Sequence, residues 1–531
     1  MYETIEIFPN VPSDVHREGD PFMSPLQIVI AVTNVEVLSN GELRLLEGLL
    51  SDPRYQITSL IECGPRPNLP FPMRLIALLE APLASPEFGF PTPEWLSAKN
   101  KLPVLRPGAA KPDTRKTDVV IDFTGSDAVI DLVPDAAHGI WRLSSYQPFA
   151  GFHEARKGTH TTQVDLTRQK TAVQAPKVIA STEYGTKFLA MRNTAFVREK
   201  SVQLIERELA RISIGGTQTA APLTTQAPIV PRMADILRYW QRVGRELLKR
   251  GRNAIRERRG QRPGMFEIRV GYGSPLDFDP ATATPVNLPD KSFGADPFLF
   301  RYTDELYLFF EEFDYVRGLG HLSVGRVIGT EVEVIGPALK TEYHLSYPFI
   351  FCHEGEVLMM PETHQSGQLE IWRATEFPMN WELKTTALEG VALADSVLLQ
   401  HAAQWWLFTN ISNDSFGDMC SELHLFQVDG PELNQLTPHP LNPVVINSTT
   451  ARGGGRVFQH DGKLLRASQN NSAGTYGYGL NIMEITTLNM TEYRERIVRR
   501  ITPDFESGLI GCHHIDFDKE VFAIDVRKEK A

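Results

Sequence analysis

Five segments in the second half of the chain repeat one pattern: an apolar strand, a short polar turn and a second apolar strand. They are ADPFLFRYTDELYLFFEE (295–312), SYPFIFCHEGEVLMMPET (346–363), ADSVLLQHAAQWWLFTN (394–410), GGRVFQHDGKLLRASQN (454–470) and GCHHIDFDKEVFAIDVR (511–527). Taken from positions 296, 347, 395, 454 and 511, the spacing is 48 to 59 residues. A repeat of about 50 residues that holds several strands is typical of a β-propeller blade. Residues 263–531 are therefore predicted to form an all-β five-bladed propeller, with four blades plus a closing segment as the alternative.

The first part of the chain has a different pattern, in which strands alternate with helices. Strand-like runs at 26–33, 55–62 and 118–123 alternate with helix-like segments at 43–50, 73–83 and 126–133. This alternation favours an α/β domain with a mostly parallel sheet. Residues 1–213 are assigned to that domain, which closes with a helix over about 192–212. The chain is thus predicted to be multidomain.

Residues 214–262 are predicted to connect the two domains. The stretch 214–231 is rich in Gly, Thr, Ala and Pro and lacks periodicity, which is typical of a linker. A basic amphipathic helix is expected over about 232–259. Residues 232–262 hold eleven Lys/Arg against three Asp/Glu, a charge of +8 in a chain of net charge -11. Such a helix suits peripheral contact with an anionic membrane surface; the alternative is a connecting helix that packs on a domain.

Composition and charge exclude several classes of function. The 531 residues are 42% hydrophobic and 22% charged, as in globular proteins, and the net charge of -11 argues against a general nucleic-acid binder. The 4 cysteines are too few for a disulfide scaffold, and no zinc spacing or other metal pattern is present. The first residues are polar and acidic and no apolar run reaches membrane-spanning length. A cytoplasmic protein is expected, with peripheral contact at the inner membrane as a candidate property; the oligomeric state is left open.

Polar residues recur at matched positions of the apolar repeats. They are Asp296, Tyr347 and Asp395 where the first strand begins, and Glu311, Glu362, Asn410 and Gln469 where the second strand ends. Because the innermost strands of a propeller surround an axial channel, these side chains are expected to ring one mouth of it. Carboxylates and amides suit sugar hydroxyls, which need many hydrogen bonds.

Two carboxylates that flank a scissile bond are the minimum for glycoside cleavage or transfer. Asp296, Glu362 and Asp395 are predicted to be the catalytic groups. Asp296 is expected to be the ionised base or nucleophile, and Glu362 the proton donor, because the apolar run 357–360 indicates a drier setting that raises a carboxyl pKa. The alternative is that the aspartates cap turns between strands.

Further substrate-binding residues are predicted from a second cluster and from aromatic side chains. His439, Asn442 and Arg452 lie in TPHPLNPVVINSTTARGGGR (437–456), where the glycines would let a ligand approach the backbone. Arg452 could clamp a phosphate or carboxylate, or else satisfy loop carbonyls. Tyr347, Trp405 and Tyr476 could stack on sugar rings. The adjacent His513 and His514 are expected on opposite faces of a strand, which argues against a two-histidine metal site.

The propeller region resembles a known family through ADPFLF (295–300), LFFEEF (308–313), YHLSYPFIF (343–351), MPET (360–363), HPLNPVV (439–445) and ARGGGR (451–456). It looks like the N-terminal domain of plant glucosamine inositolphosphorylceramide transferase and its bacterial relatives. That domain is similar to the five-bladed propellers of furanosidases and fructosidases. The resemblance implies a catalytic Asp near the start of the first blade, which Asp296 matches, whereas Glu362 and Asp395 match by blade position.

The N-terminal half resembles a formyltransferase-like domain through AAHGIWRLSSYQPFAGFHEA (136–155). The family requires an Asn, a His and an Asp around the formyl donor. Here Ser144 and Ser145 stand where the His would fall, and residues 118–137 contain no Asn. The resemblance therefore implies a degenerate domain that keeps the fold and has lost formyl transfer. A dinucleotide site is not expected, because GxGxxG does not follow the first strand.

Three functions remain open from the sequence. The first is a carbohydrate-active enzyme, by glycosyl transfer or glycoside cleavage, in cell-surface polysaccharide or glycolipid biosynthesis. Its substrate would be a carbohydrate or glycolipid; no cofactor is identified, and a nucleotide-sugar donor is a candidate substrate. The second is a non-catalytic glycan-binding or scaffold protein. The third is a formyl or acyl transferase that acts on an amino sugar.

Overall fold

The computed structural model describes residues 24–64, 69–81, 91–108, 117–133, 135–222, 230–258, 265–288 and 292–528. They fall into two compact units. The first unit holds the described residues up to Lys249 together with Asp414–Gly417. The second unit holds the described residues from Arg250 onward, without that four-residue segment.

The first unit is built on an eight-stranded mixed sheet with helices. Its strands are β1 (Leu26–Val32), β2 (Tyr55–Glu62), β3 (Val104–Leu105), β4 (Val119–Asp122), β5 (Ile140–Leu143), β6 (Thr161–Gln169), β7 (Lys177–Gly185) and β8 (Ala221–Pro222). Its helices are α1 (Asn40–Ser51), α2 (Phe71–Glu80), α3 (Pro93–Lys99), α4 (Ala128–Leu132), α5 (Phe152–Lys157) and α6 (Ala190–Ser213). A last helix, α7 (Met233–Arg258), begins in this unit, and its residues from Arg250 onward belong to the second.

The strand order of this sheet is β3-β2-β1-β4-β5-β6-β7-β8. Strands β1 to β5 pair in parallel, whereas the pairings from β5 to β8 are antiparallel. Strand β1 (LQIVIAV) is almost entirely buried, as expected for the centre of a parallel sheet covered on both faces. The predicted α/β class is confirmed, and the antiparallel edge is the part that the alternation of helices and strands did not show.

Helix boundaries follow local chemistry that the sequence contains. Ser39 and Glu42 form a capping box at the start of α1: the Ser39 N–H donates to Glu42 Oε2 at 2.7 Å and the Glu42 N–H donates to Ser39 Oγ at 3.3 Å. The predicted closing helix is α6, which extends the expected range by two residues at its start and one at its end. Of the predicted linker, residues 223–229 lie outside the described residues.

The second unit is a five-bladed β-propeller, as predicted. Four blades are antiparallel sheets of consecutive strands. The first blade contains β11 (Ser292–Tyr302), β12 (Glu305–Asp314), β13 (Leu319–Ile328) and β14 (Glu331–Leu339), and the second contains β15 (Ser346–His353), β16 (Glu356–Glu362), β17 (Leu369–Glu376) and β18 (Asn380–Ala387). The third contains β19 (Leu393–His401), β20 (Gln404–Ile411), β21 (Glu422–Val428), β22 (Leu436–Pro438) and β23 (Val445–Ile446), and the fourth contains β24 (Gly453–His460), β25 (Lys463–Asn470), β26 (Gly479–Asn489) and β27 (Glu492–Ile501).

The fifth blade joins the two ends of the propeller sequence. It contains β9 (Met265–Tyr272), β10 (Thr284–Pro285), β28 (Leu509–Gly511), β29 (Ile515–Asp518) and β30 (Val521–Lys528). All eight residues of β9 pair with β30. This pairing closes the ring and leaves no exposed edge between first and last blade. It also explains why four blades plus a closing segment was an alternative from the sequence, since one main strand of the fifth blade comes from the start of the propeller.

Three blades share an unusual backbone conformation at the start of the inner strand. Asp296, Tyr347 and Asp395 have φ values of 50°, 48° and 49°. Each sits at a bulge, where the register of the inner hairpin shifts. A left-handed conformation costs a non-glycine residue about 1–2 kcal/mol, so its recurrence marks a position that the fold holds in place. The predicted equivalence of these three residues is therefore present in the backbone itself.

The glycines of ARGGGR have packing reasons in the fourth blade. Gly455 has φ 145°, and a Cβ there would lie 2.0 Å from the Ile515 carbonyl oxygen. A Cβ on Gly453 would lie 2.8 Å from the Cβ of Asp395. The glycines were predicted to let a ligand approach the backbone. Neighbouring strands instead occupy the space beside Gly453 and Gly455.

None of the helices that the structure describes combines the length and the apolar composition needed to cross a bilayer.

Candidate active site

Asp296, His513 and Asp525 form a buried carboxylate–imidazole–carboxylate chain. Asp296 lies at the bulge of β11, His513 in the turn before β29, and Asp525 within β30. His513 Nδ1 lies 2.7 Å from Asp525 Oδ2, and His513 Nε2 lies 3.5 Å from Asp296 Oδ1. The Asp296 N–H also donates to Asp525 Oδ2 at 3.1 Å. His513 and Asp525 of the fifth blade therefore position the carboxylate of Asp296, which lies near the start of the first blade.

The charges of this chain are set by burial and by one another. Burial alone would lower the pKa of His513, but Asp525 and Asp296 raise it to about 9. Although burial opposes it, His513 lowers the pKa of Asp525, which also accepts the N–H groups of His513 and His514 at 2.9 Å each. Burial raises the pKa of Asp296 to about 7 against the opposing pull of His513. The chain thus holds an ion pair and a carboxyl that titrates near neutrality.

Asp395, Arg452 and Glu362 form a second group. Arg452 Nε donates to Asp395 Oδ2 at 2.7 Å, and Nη2 donates to Asp395 Oδ1 at 3.3 Å and to Glu362 Oε2 at 3.4 Å. The Asp395 N–H donates to Glu362 Oε2 at 3.3 Å. Burial raises the pKa of Asp395 to about 7, although Arg452 opposes the shift. Arg452 was predicted either to clamp a ligand or to satisfy loop carbonyls. In the structure its guanidinium instead binds two carboxylates of the chain itself, those of Asp395 and Glu362.

Glu311 is a third buried carboxyl of the site with a raised pKa. Burial, reinforced by repulsion from Asp296 and Glu362, raises its pKa well above the usual value. His344 Nδ1 accepts the Gly320 N–H at 2.9 Å, so Nε2 carries the proton and faces Glu311 Oε1 at 3.4 Å. Burial lowers the pKa of His344, so the neutral imidazole is favoured. The dry setting expected for Glu362 is found at Glu311, whereas the Glu362 side chain is 16% exposed.

These groups interact as one site. Repulsion from Asp395 contributes to the raised pKa of Asp296, and repulsion from Asp296 contributes to that of Glu311. The Tyr476 ring connects the two sides, with the Arg452 guanidinium 5.1 Å and the His513 ring 5.4 Å from its centroid. The members named above provide five carboxyls against two cations, Arg452 and the protonated His513, since His344 is neutral. The carboxyls outnumber these cations, and Asp296, Asp395 and Glu311 have raised pKa values, so acid and base groups can coexist in the cluster.

Several predicted binding residues serve the fold in this structure. Tyr347 is fully buried, so its ring is not available to stack on a sugar; its hydroxyl donates to the Gly455 carbonyl at 2.9 Å. Asn410 is also fully buried and bonds the backbone of Glu422, Ala451 and Gly453. Gln469 is fully buried and donates to Asp395 Oδ2 at 3.2 Å, so it supports the site from inside.

The side chains of His439 and Asn442 also bond to the backbone. His439 Nε2 lies 2.9 Å from the Asn489 carbonyl oxygen, and Asn442 exchanges two hydrogen bonds with the backbone of Leu425. These contacts hold the loop against neighbouring strands. Tyr476 differs, since it is 40% exposed beside Arg452 and remains a candidate stacking surface.

Sequence reasoning missed His513, Asp525 and His344. Asp525 interrupts the apolar strand VFAIDV, and a charged residue in such a strand was the available signal. The two adjacent histidines were weighed for metal binding alone. They do diverge, since His514 packs against Phe298 and Tyr347, where burial lowers its pKa to about 3.

Asp296, His513 and Asp525 also meet the spacing of a metal-binding group, with one donor atom from each within 4.8 Å of the others. A metal ligand histidine must be neutral. The two carboxylates instead raise the pKa of His513 to about 9. Without a cation the two carboxylates favour the protonated imidazole, and a metal ion bound by the three residues would have to displace that proton.

We expect the His513→Gln variant to lose part of the pH dependence of stability between pH 7 and 9. A histidine whose pKa rises from 6.5 to about 9 on folding stabilises the protein below pH 6.5, and this contribution is lost as the pH rises through 9. The contribution is about 1–3 kcal/mol. Urea unfolding at several pH values measures it. The raised pKa of Glu311 also makes the free energy of unfolding fall as the pH rises. A Glu311→Gln variant should therefore retain the part of the pH dependence that His513 causes. Equal slopes of unfolding free energy against pH in the wild type and in His513→Gln would contradict the ion pair.

In the first unit, Ser144 and Ser145 line a cavity of about 590 Å³. Ser144 Oγ accepts the Asp165 N–H at 2.9 Å, and the Ser145 and Ser201 hydroxyls bond at 2.8 Å. His153 of α5 also lines this cavity, so an imidazole is present there. It does not stand at positions 144–145, where the formyltransferase resemblance would place the histidine. The formyltransferase-like nature of this unit and its loss of formyl transfer remain predictions.

The closed ring and its acidic cluster define the second unit as a five-bladed propeller domain with a polar site at the ends of its inner strands. Residues 279–508 match the family described as glucosamine inositolphosphorylceramide transferase 1, N-terminal. This region carries the resemblance that the sequence motifs predicted.

Plant proteins are similar to part of the chain. The chain is 36% identical over 245 residues to glucosamine inositolphosphorylceramide transferase 1 of Oryza sativa subsp. japonica, which covers 44% of this chain and 32% of that protein. It is 36% identical over 219 residues to the protein of the same name from Arabidopsis thaliana, which covers 40% of this chain and 28% of that one. The chain thus spans about a third of the length of the curated relatives it matches.

Solved structures with similarity to the chain include glycoside hydrolases. A family 117 glycoside hydrolase from Zobellia galactanivorans has a TM-score of 0.33 at 11% identity, and covers 50% of this chain and 90% of its own. The catalytic domain of the Coprinopsis cinerea GH62 α-L-arabinofuranosidase has a TM-score of 0.36 at 10% identity, and covers 50% and 98%.

Proposed function

We propose that the propeller carries a carbohydrate-active site, which performs glycosyl transfer or glycoside cleavage in the assembly of a cell-surface polysaccharide or glycolipid. The observation that carries the proposal is the cluster of buried carboxyls in which burial raises the pKa of Glu311 well above its usual value and that of Asp296 to about 7. Reactions at a glycosidic bond need an acid and a base that coexist at one pH.

Asp296 is assigned the role of base or nucleophile. Its pKa of about 7 leaves a substantial ionised fraction at neutral pH, close to the optimum for proton transfer. His513 stabilises the ionised form at 3.5 Å, and the left-handed backbone fixes the direction of the carboxylate. Activity should therefore increase as the pH rises through about 7.

The proton donor is assigned to Glu311 in place of Glu362. Glu311 is buried and its pKa is raised well above the usual value, whereas Glu362 is partly exposed and bound by Arg452. Glu362 and the exposed Tyr476 ring are assigned to substrate binding, through hydrogen bonds to hydroxyls and stacking on a sugar face.

The class of substrate is drawn from the relatives. Their name describes transfer of glucosamine to inositolphosphorylceramide, and the matched segment is their N-terminal domain. For this chain we propose a glycolipid or lipid-linked glycan as acceptor or substrate, with a nucleotide sugar as candidate donor. The match covers about a third of those proteins.

A second candidate is non-catalytic glycan binding. It is favoured by the number of protein partners that the carboxyls already have: Arg452 engages Asp395 and Glu362, and His513 faces Asp296 and Asp525. A cluster held in this way could serve mainly to present Glu362 and Tyr476 at a binding surface.

A mass-spectrometric screen of nucleotide sugars and glycosides with the full chain, together with calorimetric titration of the same glycans, separates the two. Under the enzyme proposal, one compound is converted and the Asp296→Asn variant is inactive on it. Binding without conversion, with similar affinity in that variant, supports the second candidate. Neither conversion nor binding would contradict both.

A further inference from the structure

Helix α7 presents three distinct faces. Ile236, Tyr239 and Val243 are buried and pack in the hydrophobic core of the first unit. The Arg242 guanidinium donates to the Ala155 carbonyl at 2.6 Å, which fixes the rotation of the helix. This buried face packs on the first unit, as the connecting-helix interpretation expects. Because the packing fixes the rotation of α7, it also determines which residues lie on the other two faces.

The second face is an exposed apolar stripe. Met233, Leu237, Leu248 and Ile255 are between 52% and 65% exposed, and their spacing places them along one side of the helix. Gly244 lies on the same side, where an added Cβ would contact nothing within 4 Å. Single exposed apolar residues are ordinary on protein surfaces, but four on one side of a 26-residue helix are not.

The third face is cationic and borders the stripe. Arg238, Arg245 and Lys249 are exposed on it. Residues 233–258 contain eight Lys/Arg against three Asp/Glu, a charge of +5, while the whole chain has -11. Positive charge is therefore concentrated on this helix in an otherwise acidic protein.

We propose that α7 docks on the surface of an anionic phospholipid bilayer, with the apolar stripe at the boundary of headgroups and acyl chains. A bilayer surface offers hydrocarbon and negative charge in one plane, which matches adjacent apolar and cationic faces. A nucleic acid would complement the cations and leave the stripe in water. An acidic protein surface would need its own apolar groove, for which the charge pattern gives no separate reason.

The test is co-sedimentation of the full chain with vesicles of phosphatidylcholine, with and without phosphatidylglycerol. We expect binding only when phosphatidylglycerol is present, with a fall as salt rises. The triple variant R238Q/R245Q/K249Q should bind about a hundredfold more weakly, from about fivefold for each charge. The double variant L237Q/L248Q should also lose binding, since burial of its leucines no longer contributes.

The matched control is R326Q/R494Q/R496Q, which removes three arginines from exposed positions of the propeller and changes the net charge equally. It should bind vesicles as the wild type does. Equal loss in both triple variants, or binding to neutral vesicles alone, would overturn the proposal. So would light scattering that shows self-association dependent on Leu237 and Leu248 without vesicle binding. Circular dichroism of each variant checks folding, and because no sugar substrate is used, the result is independent of the proposed carbohydrate activity.

Discussion

The Asp296→Asn variant is expected to lose at least about three orders of magnitude in the rate of glycan conversion, as when a principal catalytic group is removed. The amide has the shape of the carboxyl but cannot take a proton or form a covalent glycosyl intermediate. Steady-state rates on the compound identified by the screen measure the effect. The pH dependence of the residual activity should also lose its rise through about pH 7.

Folding of this variant should change little. Asn tolerates a left-handed backbone better than most residues, and Asp296 has φ 50°. Its carbonyl oxygen can still accept the Tyr347 N–H, which lies 3.3 Å from Asp296 Oδ2. The matched control is Asp461→Asn, the same change at φ 48° in an exposed hairpin turn. Full activity in Asp296→Asn would show that the carboxylate is not a catalytic group, and unfolding of that variant with a stable control would show that Asp296 is a structural turn residue.

The Arg452→Met variant is expected to lose about 3–5 kcal/mol of unfolding free energy at pH 7, because it leaves Asp395 and Glu362 without their cation in a buried setting. Arg452 is 8% exposed, so water cannot readily replace the guanidinium. Urea unfolding followed by circular dichroism measures the loss. Arg326→Met is the control: Arg326 pairs with Glu305 and Glu333 at the surface, where such pairs contribute about 0–1 kcal/mol.

The pH dependence separates charge from packing in this variant. The pKa of Asp395 is raised on folding to about 7, so its ionisation costs stability above the unfolded value of 3.8, and the cost disappears below it. Without Arg452 the folded pKa should rise further. The loss in Arg452→Met should therefore shrink from pH 7 to pH 5. A loss of the same size at both pH values would indicate that the side chain contributes by packing alone.

Local patterns were sufficient for the architecture. The hairpin repeats predicted five blades because each blade alternates apolar residues with its own turn. The equivalence of Asp296, Tyr347 and Asp395 was visible because the bulge falls at the same place in each repeat, and their φ values near 50° show that the backbone treats them alike. The α/β order of the first unit was likewise visible from alternating strands and helices.

The chemistry of the site required the closed ring. Asp296 meets Asp525 across 229 residues, and Arg452 meets Asp395 across 57. No local pattern specifies these pairs, because they arise where inner strands of different blades converge. Burial was also misjudged between the equivalent Glu311 and Glu362, since the side chains packed around each come from distant strands.

The sequence by itself therefore determined the number of blades, the α/β class of the first unit and the repeated position from which Asp296 and Asp395 enter the site. The tertiary structure decided in which carboxyls burial raises the pKa, which cation each carboxylate faces, and which polar residues bond only to the backbone. The physical reason is that strand and turn formation depend on neighbours in the chain, whereas desolvation and Coulomb interaction depend on neighbours in space.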